Sequence, residues 1–351
     1  MGRRGGTANS RIDMKNIAIV ILNWNGASML RKFLPSVLKF SQEAEVIVAD
    51  NASKDDSLKV METEFPEVRT IVLDKNYGFA EGYNQALRQV EAEYYLLLNS
   101  DVEVTEGWLQ PMLSYMGAHE DVVACQPKLR CEWNRSMLEY AGACGGYIDY
   151  LGYPFCRGRI FNTVEEDLGQ YDSVVPVLWA TGAALMIRSK LYWEAGGLDA
   201  RFFAHQEEID LCWRLRARGY KIVCVPQSVV YHVGGASLPK QNSKKTFLNF
   251  RNNMILLYKN LPDDQLKDVM RRRFWLDALA CLYFFLTLQL GSCIAVWSGR
   301  WAFRKMRSDF KEDRKRNMQA TVVHSREFLF PKSLLWQYHV KGKKTYKELT
   351  S

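Results

Sequence analysis

The stretch Tyr94–Val104, YYLLLNSDVEV, decides how this chain is read. An apolar and aromatic run enters the polar cluster Asn99-Ser100-Asp101, and a short apolar alternation follows. An apolar run broken in this way is the pattern of a buried strand and its exit. Parallel strands of open α/β sheets present ligand-binding groups at their carboxyl ends, and Asp101 stands at such an end. A carboxylate there is an oxygen ligand for a divalent cation, and that cation neutralises a diphosphate. Asn-Ser-Asp is also ordinary turn chemistry, so the weight of this reading rests on the neighbouring strand ends.

Upstream, Ile17–Leu22 (IAIVIL) is a continuous apolar run suited to a central parallel strand covered on both faces. Asn23-Trp24-Asn25-Gly26 closes it, and Ser28 is placed to cap a helix running to about Ser41, with Met29, Phe33, Val37 and Leu38 inward and Pro35 as a possible kink. Glu45–Ala49 is the next strand and ends at Asp50-Asn51-Ala52-Ser53. A helix from about Asp56 leads to a third strand, Arg69–Leu73, and then to KNYGFAEGYNQAL. This is strand, helix, strand, helix, strand: a doubly wound α/β unit with right-handed crossovers. Asn23, Asp50 and Asn76 therefore gather at one sheet edge, with Asn25, Asn51 and Asn84 beside them. Amides and carboxylates recognise the edge of a base and the hydroxyls of a ribose. Gly78 and Gly82 permit close backbone approach, and Phe79 and Tyr83 offer apolar faces. Neither the GxGxxG turn nor a Walker A loop is present, which leaves phosphate to Asp101 and a metal.

Downstream, the pattern predicts a helix over about Glu106–Ala118 and a short strand over Val122–Lys128. Leu129–Gln170, rich in Gly, Tyr and Cys, reads as irregular loops over the site. Val174–Arg188 reads as a bent strand or strand pair with Thr181-Gly182-Ala183 at the bend, where Gly182 lets an acceptor approach the backbone. A helix from about Glu208 buries Ile209, Cys212, Trp213 and Leu215, pairs Asp210 with Arg214, and ends at Gly219. Glu207 and Glu208 lie at its N-terminus. There they serve either to complement the helix dipole or, in one case, as a general base. Lys221–Val225 and Val229–Val233 are further strands, and His232 at a strand end beside Gly234-Gly235 is a reasonable metal ligand.

Bulk composition narrows the classes. The chain has 351 residues, 48% of them hydrophobic and 25% charged, as in a globular protein of one or two domains. A net charge of +8 suits nucleotides, acidic glycans, a membrane surface or nucleic acid. No nucleic-acid recognition motif is present, so that partner is set aside. Eight cysteines without a CxxC pair read as reduced, mostly buried thiols of a cytosolic protein, not as a zinc site. Met1–Asp13 is polar and is expected to be a disordered extension, not a secretory signal.

Ser243–Leu261 reads as an amphipathic helix docked through Phe247, Phe250, Met254, Leu257 and Tyr258. After Pro262, Arg271-Arg272-Arg273 precedes an uncharged run from Ala278 to Gly299, and Arg300, Arg304, Lys305 and Arg307 follow. Length makes the run a spanning candidate. Thr287, Gln289, Gly291 and Ser292 interrupt it and both flanks are basic, which favours a bent helix pair in the membrane interface.

The ordered set ILNWNG, DNASKDDS, KNYGFAEGYNQAL, LLLNSDVEV, TGAALMIR, GGLDARFF, EEIDLCWRLRARGY and HVGGAS resembles glycosyltransferase family 2, and within it the bacterial rhamnosyltransferase-like branch. The match runs from about Ile17 to Ser237. It implies an α/β GT-A fold, the Rossmann-like mixed sheet of nucleotide-diphospho-sugar transferases, over residues 15–261. Residues 1–14 then form an extension, and residues 262–351 a helical, basic, membrane-associated region. The family pattern puts Asp50 at the nucleotide base, with Asn23 and Asn76 beside the nucleotide. Asn99-Ser100-Asp101 takes the place of the DxD metal motif, so Asp101, completed by His232, holds Mg²⁺ or Mn²⁺. Glu207-Glu208 matches the family's Glu-Asp pair, whose second member, here Glu208, is the base. The resemblance implies inverting transfer from dTDP-rhamnose or a UDP-hexose to a glycan or lipid-linked glycan, at the inner face of the cell membrane, in cell-surface polysaccharide synthesis. Two rivals are a nucleotide-sugar-binding protein without transfer activity, disfavoured by the acidic pair, and a nucleotidyltransferase, which wants a Gly-rich phosphate loop after Ile17–Leu22 that is not there.

Overall fold

A computed structural model describes residues 17–234 and 243–351. The expected extension over residues 1–14 and the end of the HVGGAS motif, Gly235-Ala236-Ser237, lie outside the described residues. In chain order the first half runs β1 (Ile17–Asn23), α1 (Ala27–Phe40), β2 (Glu45–Asp50), α2 (Ser57–Glu64), β3 (Arg69–Val72), α3 (Gly78–Leu87), β4 (Tyr94–Asn99), β5 (Val102–Val104), α4 (Leu109–Ala118) and β6 (Val122–Cys131). Four short strands follow: β7 (Gly146–Ile148), β8 (Pro154–Cys156), β9 (Arg159–Ile160) and β10 (Thr163–Val164). Then come β11 (Val175–Val177), β12 (Ala184–Arg188), α5 (Ser189–Glu194), α6 (Glu207–Ala217), β13 (Lys221–His232) and α7 (Ser243–Asn260). The chain ends with α8 (Asp263–Leu286), α9 (Leu290–Met306), α10 (Lys311–Ala320) and α11 (Tyr346–Thr350).

Nine strands form one mixed sheet in the order β11-β13-β6-β12-β4-β1-β2-β3, with β5 paired to β13. β4, β1, β2 and β3 are parallel neighbours, and β12 runs antiparallel between β4 and β6. The apolar runs read as central strands are central. Side chains alternate between faces along them, so Ala18, Val20, Tyr95 and Leu97 enter one core while Ile17, Ile19, Ile21, Leu96 and Leu98 enter the other. α3, α6 and α7 cover the first face; α1, α2 and α4 cover the second. Both faces are thereby buried, which is why these strands are apolar throughout.

Several boundaries differ from the sequence reading. Ser28 lies inside α1 and does not cap it; the helix's Ala27 N–H donates to Asp55 Oδ2 at 3.0 Å, from the loop after β2. Leu30 and Leu34 join Phe33 and Val37 in the buried face, Leu38 packs partly buried against the same core, Met29 is half-buried, and α1 continues through Pro35. β6 extends to Cys131, and β13 is one strand with an irregularity between Val225 and Val229. Leu129–Gln170 is not a set of loose loops. It carries the antiparallel sheet β10-β9-β8-β7, over which the C-terminus closes: Phe155, Ile160, Leu334 and Leu349 share a small core. Asp149 anchors that closure, accepting from Leu334 N at 2.8 Å. All eight cysteines are free thiols.

Candidate functional site

Four corners of the sheet's carboxyl edge hold the residues singled out above. At the first, β1 and β2 end side by side and Asn23 pairs with Asp50. Asn23 Nδ2 donates to Asp50 Oδ1 at 3.1 Å and to Ser53 Oγ at 3.3 Å, while Ser53 N donates to Asp50 Oδ2 at 2.9 Å. Asp50 is only 1% exposed. Asn23 Oδ1 is buried without a partner, and a Cβ on Gly26 would stand 2.3 Å from it. Asn25, at φ 52°, accepts from Lys54 N through its side chain at 2.7 Å and donates its own N–H to Ser53 Oγ at 2.9 Å. The loops after β1 and β2 are thus bound to each other.

The second corner is the turn into α3. Asn51 Oδ1 accepts from Tyr77 N at 2.9 Å, and its Nδ2 donates to Gly78 O at 2.9 Å and to Asn76 Oδ1 at 3.2 Å. Asn51 and Asn76 are therefore scaffolds of this turn. Gly82 lies where a Cβ would meet Leu22 at 3.0 Å and Asn51 at 3.1 Å, so its role is close helix–strand packing. Asn84 is buried and fully engaged with Tyr192 OH (2.6 Å), Leu198 O (2.7 Å) and Leu198 N (3.2 Å). It holds the turn before Asp199 in place of the expected ligand contact.

At the third corner Asp101 and His232 meet, because β5 pairs with the end of β13 in a register that sets Val102 opposite His232. Asp101 Oδ1 lies 3.1 Å from His232 Nε2, and Asn99 Nδ2 lies 3.5 Å from that nitrogen. On its other side, His232 Nδ1 faces Glu139 Oε1 at 3.5 Å. Burial opposes charge on His232, but Glu139 and Asp101 outweigh it and push its pKa up to about 10. Burial likewise pushes the Asp101 carboxyl up, yet the His232 hydrogen bond and charge bring it below the usual value. Held charged in this way, His232 must give up its Nε2 proton before that nitrogen and the Asp101 carboxylate can serve as a donor set for Mn²⁺ or Mg²⁺. Glu139 behind the ring gives the carboxylate–histidine arrangement that orients metal-binding imidazoles. Among the described residues no group of three or more His, Cys, Asp or Glu side chains is arranged to hold an ion. The protein's share would therefore be small, with diphosphate oxygens and water completing the shell, as is usual for Mg²⁺ at phosphates.

The fourth corner carries the glutamates. Thr181 is a structural hinge: its N–H donates to Gln126 Oε1 at 2.9 Å and its hydroxyl to Ala141 O at 2.6 Å. Asn99 N donates to Ala183 O at 3.0 Å, which joins this bend to the Asp101 corner. Gly182 lies between Phe79 and Glu208; a Cβ there would stand 3.1 Å from the Phe79 ring and 4.0 Å from Glu208 Cβ. Glu207 is buried, at 3% exposure, and Glu208 is half-buried. Each has a buried Oε2 without a partner. Burial pushes Glu208 up to about 7, and burial plus the Glu208 charge push Glu207 well above the usual range. Asp210, by contrast, is tied to Arg214 at 2.9 Å, Lys259 at 2.7 Å and Asn260 at 2.8 Å, so it is structural.

Two residues were missed in the sequence. Glu139 sits in the stretch read as loops and carried no spacing signal. Asp55 was passed over within DNASKDDS, yet it caps α1 and also accepts from Ser57 N at 3.0 Å.

Residues 18–153 match the model of Glycosyl transferase family 2. The chain is similar to the N-acetylglucosaminyl-diphospho-decaprenol L-rhamnosyltransferase of Mycobacterium tuberculosis, 25% identical over 233 residues that cover 62% of this chain and 75% of that protein. Among solved structures it resembles S. aureus TarS 1-349 in complex with UDP-GlcNAc, with a TM-score of 0.54 and 15% identity, covering 87% of this chain and 89% of that one. It also resembles GalNAc-T7 with UDP, GalNAc and Mn²⁺, with a TM-score of 0.55 and 17% identity, covering 68% and 48%.

Proposed function

We propose that this chain, whose residues 18–153 match the model of Glycosyl transferase family 2 on a GT-A-like fold, is a glycosyltransferase that moves a sugar with inversion from a nucleoside-diphosphate sugar to a hydroxyl of a lipid-linked glycan. The observation that carries this reading is Glu208. It is half-open beside Gly182, has one carboxylate oxygen free of partners, and has a pKa raised to about 7, where a general base operates best. Glu207 is closed off, at 3% exposure.

In this reading Glu208 takes the proton of the acceptor hydroxyl. The acceptor oxygen bonds to the anomeric carbon as the bond from that carbon to the diphosphate breaks, and the nucleoside diphosphate leaves on the opposite side. Asp101 and His232 are the residues that would hold Mg²⁺ or Mn²⁺, and the ion would supply Lewis-acid neutralisation of the leaving diphosphate. Asp50, Asn23 and Asn25 lie on the nucleoside's side of the site, and Phe79 and Gly182, in close approach beside Glu208, on the sugar's side. The relative named for a rhamnosyl donor and a diphospho-decaprenol acceptor supports dTDP-rhamnose as the first donor to try and a polyprenyl-diphosphate glycan as the acceptor. A UDP-hexose remains the alternative donor. Such an acceptor places the enzyme at the inner face of the cell membrane, in cell-surface polysaccharide synthesis. Transfer of labelled sugar to a polyprenyl-diphosphate acceptor, followed by wild type and Glu208→Gln in parallel, tests the proposal. Product formed equally by both proteins overturns it.

A further inference from the structure

The uncharged run from Ala278 to Gly299 folds as the tip of a hairpin, α8 turning into α9 at Thr287–Gln289. The base of this hairpin is well packed. α9 lies on α7, with Gly299 close enough that a Cβ would meet Phe247 O at 3.0 Å and Arg251 N at 3.1 Å. Asp277 on α8 pairs with Arg300 on α9 and closes the base. Beyond that ion pair neither helix carries a charge. The tip instead exposes Leu279, Leu282, Phe285, Leu286, Leu288 and Ile294, with Leu286 70% and Leu288 85% exposed. Contiguous apolar surface of this kind marks an interaction site.

What covers it is indicated by the level at which charge resumes. Arg271 and Arg272 on α8, and Arg304 and Lys305 on α9, are exposed on the body side of the Asp277–Arg300 pair. Trp275 and Trp301 are exposed at the same level, and Lys305 Nζ lies 3.5 Å from the centre of the Trp301 ring. An apolar tip, then a belt of tryptophan, then arginine and lysine is the order of a lipid interface: acyl chain, headgroup boundary, phosphate. The part of α8 beyond Asp277 rises roughly 13 Å at 1.5 Å per residue, against about 30 Å of hydrocarbon. Among the described residues no helix is long and apolar enough to cross a membrane. The tip therefore reaches into one leaflet only.

The base of the hairpin is joined to the catalytic glutamates by one buried polar chain. Arg273 bonds Asp277 at 3.2 Å and also reaches Asn253 Oδ1 and, at 2.9 Å, Leu151 O. Asn253 Nδ2 lies 3.2 Å from Gln206 Oε1, and Gln206 is the residue on which the helix of Glu207 and Glu208 begins.

We infer that the α8–α9 hairpin is a docking surface for an anionic lipid bilayer, inserted into a single leaflet and held in fixed relation to Glu208 by the Gln206–Asn253–Arg273–Asp277–Arg300 chain. The inference deepens the reading above, since an acceptor anchored in a bilayer must be met at that bilayer. The test is flotation of the full chain with vesicles of phosphatidylcholine alone and of an equal mixture with phosphatidylglycerol, with nucleotide-sugar binding measured on the same samples. The wild type should float with the mixed vesicles, and less so at high salt. Leu282→Asp with Leu286→Asp should abolish flotation, and Arg271→Gln with Arg272→Gln should weaken it several-fold. Because all four residues are exposed and far from the glutamates in sequence, both variants should bind donor as the wild type does. A wild type that stays with the free protein, or an aspartate variant that still floats, overturns the inference while leaving the transferase reading intact. A concentration-dependent dimer that the aspartate variant dissolves would overturn it in favour of a second copy of the chain. Loss of donor binding in the wild type would instead sink the transferase reading.

Discussion

Glu207 and Glu208 are adjacent in sequence and yet unequal, because the start of α6 buries the first and leaves the second half-open. Glu208→Gln should lower kcat by about two to four orders of magnitude, the usual contribution of a general base, with donor binding retained in a binding assay. The kcat/KM profile of the wild type should rise with pH and level off above about 7, where Glu208 is ionised. The same shifts bear on stability. Both carboxyls bind protons more tightly in the folded chain than at the ordinary value of 4.5. The stability this confers is complete below that value and is lost as pH climbs, for Glu208 through about 7. Thermal melts should show Glu207→Gln gaining on the wild type as pH rises, because burial and the Glu208 charge oppose ionisation of Glu207. Glu139 gives a separate test: Glu139→Gln should weaken Mn²⁺ binding by about ten- to a hundredfold in a metal titration, because the orientation of His232 is lost. The strand-end positions of Asp101 and His232 were legible in the sequence, since an apolar run that stops there announces itself. Glu139 was not, because it reaches His232 from a stretch without periodicity.

Among the elements, α7 shows how far a local pattern carries. Its helical character was legible, and so was the Asp210–Arg214 pair four residues apart on α6. That Lys259 reaches across to both Asp210 and Asp199, each at 2.7 Å, was not, because contacts between distant segments leave no periodic trace. Lys259 and Asp210 are buried and Asp199 is nearly so, so Lys259→Ala leaves Asp199 with Arg201 and Asp210 with Arg214 and takes from both the cation they share. Denaturant unfolding should record a loss of about 3–5 kcal/mol, the typical cost of breaking a buried pair. β7–β10 were illegible for a different reason. Strands of two or three residues are too short to show alternation, and their core is completed by Leu334 and Leu349 from the far end of the chain.

At the scale of the molecule, the parallel half of the sheet and its carboxyl-edge site follow from the order of apolar runs, while the closure of the C-terminus over β7–β10 required the structure. The hairpin lies between these cases: an uncharged run with polar residues at its middle implied a bent helix pair, and α8 and α9 are that pair. The carboxyl edge of the sheet is proposed to bind a nucleotide sugar, and Glu208 to turn it over. The most direct test is donor turnover and thermal shift across dTDP-, UDP- and GDP-sugars, with Mn²⁺ and with EDTA, on wild type and Glu208→Gln side by side. One nucleotide class should stabilise both proteins, more strongly with Mn²⁺, and only the wild type should consume it. Stabilisation by no nucleotide sugar under either condition, or equal turnover by the two proteins, would contradict the proposal.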